Sequence, residues 1–122
     1  MDRMATIGHQ PTSVVGGSRI DWLPPTDIVE TDETFEISLE ICGVPRDDIV
    51  VDLEGNRLTV SGGRVTDSND QTCHYRERPR GQFLRSFSFR TPVDDAGIEA
   101  RLADGVLALT IPKKRPTRVE LT

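Results

Sequence analysis

His9, His74, Cys42 and Cys73 are the side chains of this 122-residue chain best suited to act as base, nucleophile or soft metal ligand. Nucleophilic catalysis needs such groups within reach of one another, and a zinc site needs them at short, repeated spacings. Neither pattern is present. His9 sits in a polar N-terminal stretch and His74 in a polar connection, with no nucleophile motif beside either, so both read as surface histidines. Cys42 and Cys73 stand far apart, outside any CxxC or Cys/His ligand spacing, which predicts reduced thiols and no zinc or disulfide framework. Neither G-x-x-x-x-G-K-S/T nor G-x-G-x-x-G occurs, so no nucleotide is implied. The expectation is a protein that is not an enzyme and needs no cofactor or metal.

Two other features point to binding. Arg85 shares the parity of Phe83, Phe87 and Phe89 in a strand-like run, which places a guanidinium on an apolar sheet face. A buried, unpaired charge costs several kcal/mol, so a carboxylate is expected beside it, within the chain or across a subunit interface. The other reading lets the arginine project past an exposed end of the sheet. Near the C-terminus, Val119-Glu120-Leu121 puts two apolar knobs on one side of an extended segment, beyond Pro112 and Pro116. They would fit a groove, or they are incidental apolar residues of a frayed end.

The elements that must position these residues are strands. Phe35, Ile37, Leu39 and Ile41 alternate with Glu36, Ser38 and Glu40 as a half-buried strand requires, and Gly43-Val44-Pro45 stops the pattern. Ile49, Val51 and Leu53 repeat it; Glu54-Gly55-Asn56 turns the chain into Leu58-Thr59-Val60, which is expected to end at Gly62-Gly63. Phe83 to Phe89, then Ile98, Ala100 and Leu102, a turn at Ala103-Asp104-Gly105, and Val106 to Ile111 complete the set, with Pro112 as terminator. Short strands punctuated by Gly and Pro, with no helical run, predict an all-β antiparallel sandwich.

The stretch between Gly63 and Phe83 is too long for a structureless loop in so small a domain, and Thr72-Cys73-His74-Tyr75-Arg76 is a passable strand within it. That strand either pairs with its own sheet, reaches the edge of a second copy, or belongs to a floppy surface hairpin. Residues 1–21 carry no periodicity and read as a flexible arm; 22–112 form the domain and 113–122 a tail.

A net charge of −5 opposes a nucleic-acid surface built from Arg76, Arg78, Arg80, Arg85, Arg90, Lys113, Lys114, Arg115 and Arg118. The start has no apolar signal region and no run approaches the length of a membrane span, so a cytoplasmic protein without a membrane span is expected.

From Trp22 to Leu121 the chain resembles the small heat-shock protein, or α-crystallin, family of the bacterial type. The resemblance rests on Ala103-Asp104-Gly105-Val106-Leu107 with Ile111-Pro112-Lys113, similar to the family's A-x-x-G-V-L…P motif. Pro25, Asp27-Ile28, Glu30, Gly43-Val44, Leu58-Thr59-Val60-Ser61-Gly62 and Glu77-Arg78…Gly81-x-Phe83-x-Arg85-x-Phe87 fall in the family's order. The resemblance implies an immunoglobulin-like sandwich that dimerises by exchanging the strand Thr72–Arg76, with Arg85 near the interface. It also implies that Val119 and Leu121 dock between the strands around Ile49, Val51 and Leu53 and around Ile98, Ala100 and Leu102 of another subunit. Val and Leu stand where the family more often has isoleucines. The arm is shorter and poorer in aromatics than is common in the family, which argues against a very large assembly. The implied activity is that of an ATP-independent holdase whose partners are itself and unfolded clients. The rival is a CS-type module that binds one folded chaperone partner.

Overall fold

A computed structural model describes residues 7–9, 14–15, 18–64, 72–115 and 121. Among the described residues ten strands carry the fold: β1 (Ile7–His9), β2 (Val14–Val15), β3 (Ser18–Arg19), β4 (Thr26–Glu30), β5 (Thr34–Glu40), β6 (Val50–Glu54), β7 (Arg57–Arg64), β8 (Gly81–Phe89), β9 (Glu99–Ala103) and β10 (Val106–Pro112). They form two four-stranded antiparallel sheets, ordered β1-β8-β7-β6 and β4-β5-β10-β9, while β2 and β3 make a short hairpin. The expected all-β sandwich is the fold. Among the described residues the only helical segments are single 3₁₀ turns at Arg46–Asp48 and Asp95–Gly97.

Each sheet turns its apolar parity inward. In β5, Phe35, Ile37 and Leu39 are buried while Glu36, Ser38 and Glu40 are exposed, and in the paired β10 Leu107, Leu109 and Ile111 face the same way. Leu58 and Val60 of β7 and Phe83, Phe87 and Phe89 of β8 close the core from the other sheet. Phe35 and Phe89 meet with ring centres 4.7 Å apart, joining the two layers by an aromatic pair.

Two local outcomes differ from the expectations. The strand expected to end at Gly62-Gly63 continues to Arg64. A side chain at Gly62 would lie 2.8 Å from Asp48 O and 2.9 Å from the Phe83 ring, so this glycine marks a close approach inside the sheet, not a turn. Part of the segment read as a flexible arm is paired: Ile7–His9 runs antiparallel to Phe87–Phe89, and Ile20 is buried. Thr72–Arg76, which the sequence leaves open between its own sheet, a second copy and a surface hairpin, lies outside any strand here, and all five residues are exposed.

The turn at Ala103-Asp104-Gly105 takes the shape its residues allow. Ala103 pairs with Val106, and the two residues between them hold φ of 55° and 77°, the left-handed pair of a type I′ hairpin. The Gly105 carbonyl oxygen also accepts from Ile41 N at 2.8 Å, which ties the hairpin to the end of β5.

Candidate interaction sites

The edges of the sandwich are where the core is left open. In β6, Val51 and Leu53 pair with Val60 and Leu58 and therefore face inward, yet both are only half-buried, as is Ile49 just before the strand. In β9, Ala100 and Leu102 oppose Leu109 and Leu107; Leu102 and the preceding Ile98 are half-buried and Ala100 is exposed. A bridge between Trp22 and Phe83 ties the segment entering β4 to β8, which leaves β9 on the β6 side. Of the six residues expected to line a docking groove, Val51, Leu53, Ala100 and Leu102 lie on inward parity in the edge strands β6 and β9, with Ile49 and Ile98 just before them. Ile49, Val51, Leu53, Ile98 and Leu102 pack against the core from there. Of the tail knobs, Leu121 is fully exposed, and Val119 lies outside the described residues.

Arg85 occupies the inward position its parity implies, directly opposite the fully buried Val60. Its guanidinium carbon lies 5.4 Å from the centre of the Phe87 ring. Nε is buried without a hydrogen-bond partner, and among the described residues no carboxylate pairs with it. Burial holds its pKa below the ordinary value of the group, because the charged form is the one desolvated. The carboxylate expected beside it is therefore not supplied by the described part of its own chain.

Thr72–Arg76 is presented to solvent. Tyr75 is 85% exposed, His74 and Arg76 are exposed, and the Cys73 thiol donates to Tyr75 O at 3.0 Å. Among the described residues no three of His, Cys, Asp and Glu gather as metal ligands, and no helix is long and apolar enough to cross a membrane. Of the basic residues, Lys113 is paired with Glu30 at 2.6 Å, and Arg64 donates from Nε and Nη1 to main-chain carbonyls.

Both of those contacts escape sequence reasoning. Glu30 and Lys113 are 83 positions apart, and Arg64 meets residues from three separate segments. No local pattern marks either.

Residues 27–120 match the model of the Hsp20/alpha crystallin family. The chain belongs to that family. Small heat shock protein C4 of Rickettsia felis is 34% identical over 99 residues, covering 80% of this chain and 61% of that protein. The 17.4 kDa class I heat shock protein of Oryza sativa subsp. japonica is 32% identical, covering 93% and 71%. A solved small heat-shock protein from Xylella fastidiosa superposes with a TM-score of 0.71 at 33% identity, over 84% of this chain and 98% of that one. Heat shock protein 16.0 of Schizosaccharomyces pombe gives 0.70 at 29%, over 83% and 97%. The Hsp20/alpha crystallin chain spans about three fifths of the length of its Rickettsia felis relatives. The motif Ala103, Gly105, Val106, Leu107 and Pro112 acquires a physical meaning in this family member: it is the left-handed turn and the core strand β10 that follows it.

Proposed function

We propose that this chain is an ATP-independent chaperone that holds partly unfolded proteins on apolar surface and keeps them from aggregating, and that it catalyses no reaction. The observation that carries the reading is the open apolar margin along β6 and β9 in a family member: Ile49, Val51, Leu53, Ile98 and Leu102 reach the core but are not covered by it. Such surface binds exposed apolar segments by burial, and binding an unfolding chain suffices to suppress its self-association.

The working unit in this proposal is a dimer formed by strand exchange. The exposed segment Thr72–Arg76 of each copy pairs with the free edge of β4 in the other, and Arg85 finds its carboxylate across that interface. Two supports are on hand: among the described residues the segment has no strand partner, and Arg85 Nε has no hydrogen-bond acceptor. Val119 and Leu121 of the tail dock on the β6/β9 margin of a further copy, giving assemblies larger than a dimer. The proposed place of work is the cytoplasm.

The test is light scattering from a heat-stressed model client, without nucleotide, across a range of chaperone ratios. Suppression at substoichiometric protein is expected. A folded protein that leaves the scattering curve unchanged at every ratio removes the holdase reading and leaves a partner-specific interaction module.

A further inference from the structure

The long connection between β7 and β8 starts and finishes at one side chain. Arg64, the last residue of β7, donates from Nη1 to Pro79 O at 2.6 Å and from Nε to Cys42 O at 2.6 Å. Its guanidinium carbon stands 4.5 Å from the centre of the Trp22 ring. Trp22 in turn donates Nε1 to Gly81 O at 3.1 Å, and its neighbour Asp21 accepts from Gln82 N at 2.8 Å. One residue therefore ties together both stalks of the connection, the turn after β5, and the chain entering from the N-terminal side.

The arrangement asks for arginine. A planar fork can satisfy two carbonyls from different segments while its face stacks on an indole; a lysine ammonium cannot meet all three demands at once. The strands themselves do not need it, because the β7/β8 ladder already runs without interruption from Arg57↔Ser88 to Arg64↔Gly81. What the contact adds is closure beyond the ladder, out to Pro79, at the base from which Thr72–Arg76 projects.

We propose that Arg64 is a positioning residue for subunit exchange: it holds the base of the exchanging loop and aims the loop at its partner. This rests on the strand-exchange reading above. A loop must lose conformational freedom when its middle pairs with another molecule, and a base fixed in advance reduces how much remains to be lost. With the clamp gone, the stalk at Pro79 is no longer tied beyond the ladder, the paired state is less favoured, and dimers come apart faster.

The experiment mixes isotopically light and heavy full-length protein and follows mixed dimers by native mass spectrometry for wild type, Arg64→Met and Arg64→Lys. Arg64→Met is expected to exchange about tenfold faster, as loss of charge-assisted hydrogen bonds implies, with Arg64→Lys in between. Urea unfolding at a concentration where each protein is monomeric gives the control. An exchange rate within twofold of wild type overturns the proposal. So does a faster rate fully matched by lost monomer stability, since any structural contact would give that. If Arg64→Met does not fold, Arg64→Lys carries the same comparison. Wild-type protein that is monomeric at every concentration overturns strand exchange and the clamp together, whereas wild-type dimers with unaltered variants overturn the clamp alone.

Discussion

Lys113 Nζ lies 2.6 Å from Glu30 Oε2 and 5.2 Å from the centre of the Phe35 ring, so one ammonium joins the end of edge strand β4, the core, and the first residue after β10. The two side chains are 16% and 10% exposed, which removes most of the solvent screening that makes surface pairs weak. Lys113 N also donates to Glu33 O at 2.7 Å, fixing the direction in which the tail departs. Lys113→Met is expected to cost about 2 kcal/mol, because the carboxylate stays in its partly buried place without the ammonium. At roughly 4–8 °C per kcal/mol for a domain of this size, the melting temperature should fall by about 10 °C. Glu30→Leu combined with Lys113→Met should cost less than the sum of the two single changes. Thermal unfolding of the four proteins at one protein concentration measures the coupling, and independent, additive losses would contradict it.

Strands whose two faces differ sharply could be read from the residues alone. Phe35 to Ile41 alternates because one side of β5 is core and the other water, and the same holds for Val106 to Ile111. β4 was not readable by period, since it is an edge strand: Ile28 is only partly buried and Val29 is 56% exposed, so neither face is decisive. Gly62 misled for a different reason, as the need for a missing side chain in a sheet looks the same in sequence as the need for a turn. Arg85 was placed correctly by parity, because the ladder to Val60 enforces period two. The contacts of Arg64 and of Lys113 depend on which distant segments the fold brings together, and no local pattern encodes that.

Arg85 carries a prediction with opposite signs in the monomer and the dimer. Its buried Nε already lacks an acceptor in the described chain, so Arg85→Met removes an uncompensated desolvation. Monomer stability should stay level or rise by up to about 1 kcal/mol. The dimer should weaken by about tenfold or more if a carboxylate of the second copy meets the guanidinium. Urea unfolding at low concentration and sedimentation at a series of concentrations read the two effects separately. A destabilised monomer with an unchanged dimer constant would reverse the assignment.

Gly105 should tolerate no side chain. Its φ of 77° is left-handed, and a Cβ there would sit 3.0 Å from Cys42 Cβ and 3.2 Å from Cys42 Cα. Gly105→Ala is expected to lose about 2 kcal/mol from backbone strain and crowding together. Asp104, also left-handed at 55° but an acceptable residue there, should gain or lose only a few tenths of a kcal/mol as Asp104→Gly. Denaturant midpoints of the two variants test the contrast, and equal effects would mean that the turn does not impose the constraint.

The β6/β9 margin separates tail docking from fold stability. Val51 faces inward but is only half-buried, so Val51→Glu can turn its carboxylate outward from the edge while the fully buried Val60 opposite it keeps the core closed. Two apolar knobs seated on this margin would gain roughly 3–6 kcal/mol before the ordering of the tail is subtracted, a contact that a charge in the groove should abolish. Val51→Glu and truncation after Arg118 should therefore produce the same loss of species larger than a dimer in size-exclusion chromatography with light scattering, and combining them should add nothing. If the margin also takes clients, Val51→Glu will lower the suppression of client aggregation, while the truncation, which uncovers the groove, will preserve or raise it. Equal loss of activity in both variants would instead mean that clients are held by the larger assembly and not by the groove.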